Sequence, residues 1–189
     1  MNLFDREYPM PASLKEVLGS RQSVGALLCI GLITTLAAVL WWPVIVGELE
    51  SHSLWRVLLA GLLMLDIAAG AVANFTPGTS AFYARRPGWL WGFIAIHVHL
   101  PVVGWLLGWP LAPLAAVWLY TIAAACLVNL CFNRPWQPVL AGTLLCGGVL
   151  MTSALSLPPG ALAVSLLFML KVLYAFAVNH YPERSGGSS

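Results

Sequence analysis

Asp66 and Lys171 carry opposite charges near the middle of two stretches that are otherwise apolar enough to cross a bilayer. Charge is disfavoured in hydrocarbon, and where it persists it usually faces a polar interior, a partner or a solute path. An acid and a base placed this way can exchange a proton, hold an ion, or lock two helices together as a pair. His97 and His99 add imidazoles, the side chains that titrate near neutrality. Tyr174 follows Lys171 by three residues, so its hydroxyl is a candidate hydrogen-bond partner for the ammonium, and Tyr120 is a further mid-span candidate. Together these six residues make the expected polar core, a site for a proton or a small polar solute.

Depth argues for treating them as a group. Counted from the end of its span that adjoins the basic loops, Asp66 lies nine residues in, His97 eight, His99 ten and Lys171 seven. At 1.5 Å of rise per residue that is roughly 10 to 15 Å, close to the midplane of the hydrocarbon. Asp66, Gly70, Ala73 and Asn74 recur at i, i+4, i+7 and i+8, one face of a helix, where small residues let a neighbour approach closely. On a continuous helix His97 and His99 point about 200° apart, so one is expected to face the bundle and the other elsewhere, and they are not expected to share a metal. Pro101 has no N–H, so the His97 carbonyl loses its usual donor, and a kink there could open a small cavity.

The elements that position these residues follow from composition. The chain has 189 residues, 60% hydrophobic and 8% charged. A soluble domain carries about 25% charged residues, so this surface must largely meet lipid. The expectation is an all-α, polytopic integral membrane protein, because a bilayer leaves unpaired backbone groups no water. Six spans are read, over about 24–46, 57–75, 89–108, 111–131, 139–156 and 161–178. Residues 1–22 form a leader, 23–180 the transmembrane domain and 181–189 a flexible tail. In the leader, Ser13 and Glu16 fit a capping box opening a short interfacial helix that dips Leu14, Val17 and Leu18 into lipid.

With six spans, Arg6, Lys15, Arg21, Arg85, Arg86, Arg134 and Arg184 all fall on one side, seven of the nine basic residues. The positive-inside rule then places both termini in the cytoplasm, as in a bacterial inner membrane. Asn74, Arg85, Arg86, Asn129, Asn179 and His180 lie near those ends of the spans and could line a cytoplasmic vestibule.

Cys29, Cys126, Cys131 and Cys146 lie in or beside apolar segments without a CxxC pair and read as buried hydrophobes. No metal-ligand spacing and no cofactor signature stands out, and no basic run resembles a nucleic-acid footprint. A transporter or permeation protein with a midplane site for a proton, ion or small polar solute is the leading reading. An intramembrane enzyme acting on a lipid or prenyl substrate is the second, although HExxH, GxSxG and DxxD-type signatures are missing. A non-catalytic membrane subunit or assembly factor, pairing with a membrane partner or with its own copies, is the third.

Overall fold

The structure, a computed structural model, describes residues 2–181. The predicted tail falls outside the described residues apart from Tyr181. The protein is all-α, with one short antiparallel ribbon in the leader. In chain order the helices are α1 (Lys15–Leu18), α2 (Val24–Glu48), α3 (Leu54–Ala73), α4 (Pro77–Ala84), α5 (Pro87–Ile96) and α6 (His99–Leu106). Then come α7 (Leu111–Leu130), α8 (Gln137–Ser153) and α9 (Pro159–Met169), which runs on into a π-helical stretch over Leu170–Phe176. Among the described residues five helical segments are long and apolar enough to cross a membrane: Val24–Glu48, Leu54–Ala73, Gly88–Leu106, Leu111–Leu130 and Pro159–Phe176. The apolar α8, with 17 residues, is shorter.

Local chemistry sets the boundaries. Ser23 caps α2 by accepting the Ala26 N–H, and Thr76 caps α4 by accepting the Thr79 N–H ahead of Pro77. At the end of α6, Gly108 takes φ +64° and the Trp109 N–H returns to the Gly104 carbonyl at 2.9 Å. That Schellman closure makes a tight α6–α7 hairpin at Trp109–Pro110. Pro158 and Pro159 open α9.

Three expectations change. The third span is not one helix: it breaks at His97–Val98 into α5 and α6. Pro101 lies in the first turn of α6, where its missing N–H is harmless, but a continuous helix would need that N–H for the His97 carbonyl. The sixth span changes winding at Leu170, with no proline or glycine in the segment to announce it. In the leader Ser13 does not cap a helix; it lies inside a 3-10 turn over Ala12–Leu14, and α1 follows without a side-chain cap. The leader is tied instead by the ribbon Glu7–Pro9 with Arg21–Ser23, Tyr8 opposite Gln22.

The core is a contiguous set that includes Met64, Ile67, Leu100, Leu106, Leu114, Phe168 and Leu173, all fully buried. Ala60, Ala68, Gly70 and Ala71 give α3 a small-residue face against α6, α9 and the π-helical stretch. Close van der Waals packing of that kind is what associates helices in lipid. α3 packs on α2, α6 and α9, whereas α5 packs on α4 and α7. The two therefore stand apart, and a cleft opens between them.

Candidate functional site

The cleft holds about 190 Å³ and is lined by Asp66, Gly70 and Asn74 from α3, Phe93 and Ile96 from α5, and His97, His99 and Lys171. Glu16 and Val17 of the leader and Tyr83 of α4 complete its rim. Ile96 is exposed on the flank of the bundle, so the cleft opens sideways.

Lys171 approaches from the π-helical stretch. Its Nζ donates to Asp66 Oδ2 at 2.6 Å and to the Asp66 carbonyl at 3.3 Å. Gly70 makes the approach possible, because a Cβ there would overlap the lysine stem and come within 2.9 Å of Nζ. Asn74, one turn further along the same face, donates its Nδ2 to the Lys171 carbonyl at 3.3 Å. Thus α3 grips the lysine residue from both sides. The Lys171 side chain is 5% exposed and that of Asp66 41%. From the cleft a visitor meets the carboxylate, with the ammonium behind it.

The broken span brings the histidines in together. Their ring centroids are 5.1 Å apart, and His99 Nε2 lies 3.5 Å from Asp66 Oδ2. This corrects the expectation that one ring would turn away: the 200° argument assumes a continuous helix, and the chain resets its phase between the two. The break also fixes how His97 is held. The Phe93 carbonyl, left by the helix, accepts from His97 Nδ1 at 2.5 Å. A carbonyl can only accept, so Nδ1 carries the proton, and in the neutral ring Nε2 is an acceptor. The His97 carbonyl, deprived of a donor by Pro101, accepts the Trp118 indole N–H from α7 at 2.8 Å. His99 Nδ1 is buried without a hydrogen-bond partner. Among the described residues no group of three His, Cys, Asp or Glu is placed to hold a metal ion.

Four of the six expected core residues thus meet: Asp66, His97, His99 and Lys171. The two tyrosines do not join them. Tyr174 packs its ring on Phe75 and His180, with centroids 6.0 and 5.7 Å away, because the wider π-helical turn carries it off the Lys171 face. Tyr120 donates to the Leu144 carbonyl at 2.6 Å, between α7 and α8.

The expected vestibule residues disperse. Arg85 and Asn179 share a separate cavity of about 590 Å³ with Asn133 and Tyr181. Arg86 turns back instead, donating to the Phe82 carbonyl at 2.8 Å with its guanidinium 3.9 Å over the Phe82 ring. Asn129 is buried, and Asn74 belongs to the floor of the first cleft. His180 packs tilted against Phe75, ring centroids 4.9 Å apart, with its Nε2 3.1 Å from the Tyr174 carbonyl, and burial holds its pKa below the usual imidazole value.

Two polar clamps escaped the sequence reading. Gln22 is buried and its Nε2 donates to Thr76 Oγ1 at 2.6 Å and to the Leu18 carbonyl, pinning the leader to α4. Tyr83 adds a hydrogen bond to the Glu16 carbonyl at 2.7 Å, and burial, with the Glu16 charge beside it, pushes its phenol up to about 12. Gln137 joins α7 to the residue that follows the π-helical stretch through the Val128 and Ala177 carbonyls, at 3.1 and 3.0 Å. Both glutamines lie among polar or turn-forming neighbours at the start of an apolar helix, so nothing in the sequence marks them as buried, and once buried such an amide must find partners.

No protein-family model matches the chain, and no curated protein or solved structure does either. The fold and cleft define a membrane-embedded helical protein with a charged site between its helices.

Proposed function

We propose that this is a small proton-coupled transporter whose solute binds in the cleft between α3 and α5. Asp66 is the proton or cation acceptor, Lys171 its internal counter-ion, and His97 and His99 the groups that pass protons to and from it. One observation carries this reading: both interruptions of helical winding, at His97–Val98 and at Leu170–Phe176, fall at residues that line the cleft, His97 and Lys171. Discontinuous helices at mid-membrane expose backbone groups to a solute and are the recurring design of transporter sites. They also supply hinges. Met64, Leu100, Val103 and Leu106 are fully buried in the packed core, so in this reading passage needs α5 and the end of α9 to rock against the rest.

In this reading the chain crosses six times, α8 included, and both termini are cytoplasmic. Seven of nine basic residues then share a side, as the positive-inside rule requires. Tyr174, Tyr120, Asn129 and Arg86 have structural duties in it.

The test is a proteoliposome assay with an imposed pH gradient. Wild type should show solute-dependent proton flux, Asp66→Asn should lose it, and Lys171→Met should uncouple it. Equal flux in both variants and in their double would remove the cleft from the mechanism. A lipid-modifying enzyme is the second reading, favoured by the sideways opening of the cleft beside Ile96. Labelled lipid extract converted by wild type but not by His97→Gln would decide for it.

A further inference from the structure

The donors that line the cleft are engaged within the protein, Lys171 with Asp66, Asn74 with the Lys171 carbonyl and Tyr83 with the Glu16 carbonyl, which leaves a visitor chiefly acceptors and negative charge. Both side-chain contacts to the Asp66 carboxylate, from Lys171 and His99, fall on Oδ2, and Oδ1 has no partner among the described residues. His97, which lines the cleft, commits its N–H to the Phe93 carbonyl, so its Nε2 is an acceptor. If His99 donates through Nε2 to Asp66, its buried and unpartnered Nδ1 is a second imidazole acceptor. Glu16 stands at the mouth as a second carboxylate. Among the described residues lining the cleft, the lysine or arginine side chain is that of Lys171, whose ammonium is already engaged by Asp66 and is the more buried of the two. Phe93, Ile96, Tyr83 and Val17 make the walls apolar or aromatic.

Resting on the transport reading, we propose that the ligand of this cleft is a lipophilic primary ammonium, its N–H groups directed at Asp66 Oδ1 and the imidazole nitrogens and its apolar body lying outward past Ile96. An anion would meet Glu16 first and Asp66 next. A quaternary ammonium has charge but no N–H for the acceptors. A divalent metal would want three protein ligands that the described residues do not bring together, and it would sit beside the Lys171 ammonium. The volume of about 190 Å³ is below the roughly 300–1,000 Å³ of drug-sized pockets, so the cleft takes a head group and leaves the remainder in the flank opening.

The test is calorimetric titration of the purified full chain in nanodiscs with hexylammonium, hexyltrimethylammonium and hexanoate. Hexylammonium should bind at least about tenfold more tightly than either of the others, the scale of one charge-assisted hydrogen bond. Asp66→Asn should abolish binding. Because that variant leaves a buried ammonium alone and could misfold, two others keep the proposal falsifiable. Lys171→Met, which frees the carboxylate, should bind at least as tightly as wild type. Glu16→Gln, at an exposed position, should bind several-fold more weakly, with the difference vanishing at high salt.

Nanodiscs of phosphatidylcholine with and without phosphatidylethanolamine tell the source of the ammonium. Competition by phosphatidylethanolamine supports a lipid head group, and its absence supports a free amine. Preference for hexanoate, equal binding of the quaternary ion, or no hexylammonium binding overturns the proposal. Proton flux without amine binding would overturn it while leaving the transport reading standing. Amine binding without flux would support it while removing that reading.

Discussion

Asp66 and Lys171 meet through a single carboxylate oxygen, 2.6 Å from the ammonium, with the acid facing the cleft and the base facing the packed interior. The two ends of this pair therefore differ in what happens when the partner is lost. Removing the carboxylate charge strands an ammonium that is 5% exposed, whereas removing the ammonium leaves a carboxylate still open to the cleft. Breaking a buried pair by deleting one partner costs about 3–5 kcal/mol, and an exposed one about 1 kcal/mol or less.

Asp66→Asn should accordingly lower thermal stability more than Lys171→Met, by about 2 kcal/mol or more. The double variant Asp66→Asn with Lys171→Met should recover most of the difference. Unfolding midpoints of the four proteins in one detergent measure this as a double-mutant cycle. Equal losses in the two single variants would mean that the burial asymmetry has no energetic consequence.

Gly70 is the contact that lets the lysine reach its partner. A Cβ at Gly70 would overlap the Lys171 stem, while one at Gly31 or Gly92 would meet nothing within 4 Å. Gly70→Ala should destabilise by about 1–3 kcal/mol, the range for overpacking. Gly31→Ala should be neutral or stabilising by up to about 1 kcal/mol, the helix-propensity gain. Thermal unfolding compares them directly.

Much of this arrangement was legible in the sequence, and the remainder has identifiable reasons. Asp66 and Lys171 stood out because a charge in an apolar run has few explanations, and the i, i+4, i+8 face of Asp66, Gly70 and Asn74 follows from helical geometry alone. Pro101 announced a disturbance near His97. It could not say whether the helix would kink or restart, and only a restart turns both imidazoles inward. The π-helical stretch at Leu170–Phe176 carries no proline or glycine, so nothing warned that Tyr174 would leave the Lys171 face. The spacing of Ser13 and Glu16 fits a capping box and says nothing of a cleft. The place of Glu16 at the mouth of the cleft depends on the ribbon of Tyr8 with Gln22 and on the grip of Gln22 on Thr76, contacts between residues far apart in sequence.

That grip has its own test. Gly19 takes φ +71°, and a Cβ there would overlap the Gly78 carbonyl and lie 2.6 Å from the Thr79 nitrogen. Gly19→Ala is therefore strained twice, in its own backbone and against α4. It should release the leader from α4 without unfolding the bundle. Limited proteolysis would then cut between residues 6 and 21 well before wild type is cut. Unchanged protection would mean that the leader is not held through this contact.

His180 gives the protein an acid-sensitive joint outside the spans. Burial lowers its pKa from 6.5, against the raising effect of the Tyr174 and Ala175 carbonyls. A histidine depressed in the folded state favours folding while neutral. Its contribution is complete above the ordinary value of 6.5 and is lost as pH falls below it. His180→Gln keeps a donor for the Tyr174 carbonyl and removes the titration. The unfolding midpoint of wild type should drop more than that of the variant between pH 7.5 and pH 5. In a chain of this size 1 kcal/mol moves the midpoint by about 2–4 °C, which makes the gap measurable.

The most direct test of the whole account is chemical modification of the Asp66 carboxylate by a hydrophobic carbodiimide in native membranes, mapped by peptide mass. An adduct should form at Asp66 and be blocked by hexylammonium. An Asp66 that stays unmodified while Glu16 reacts, or that reacts at the same rate with the amine present, would contradict it.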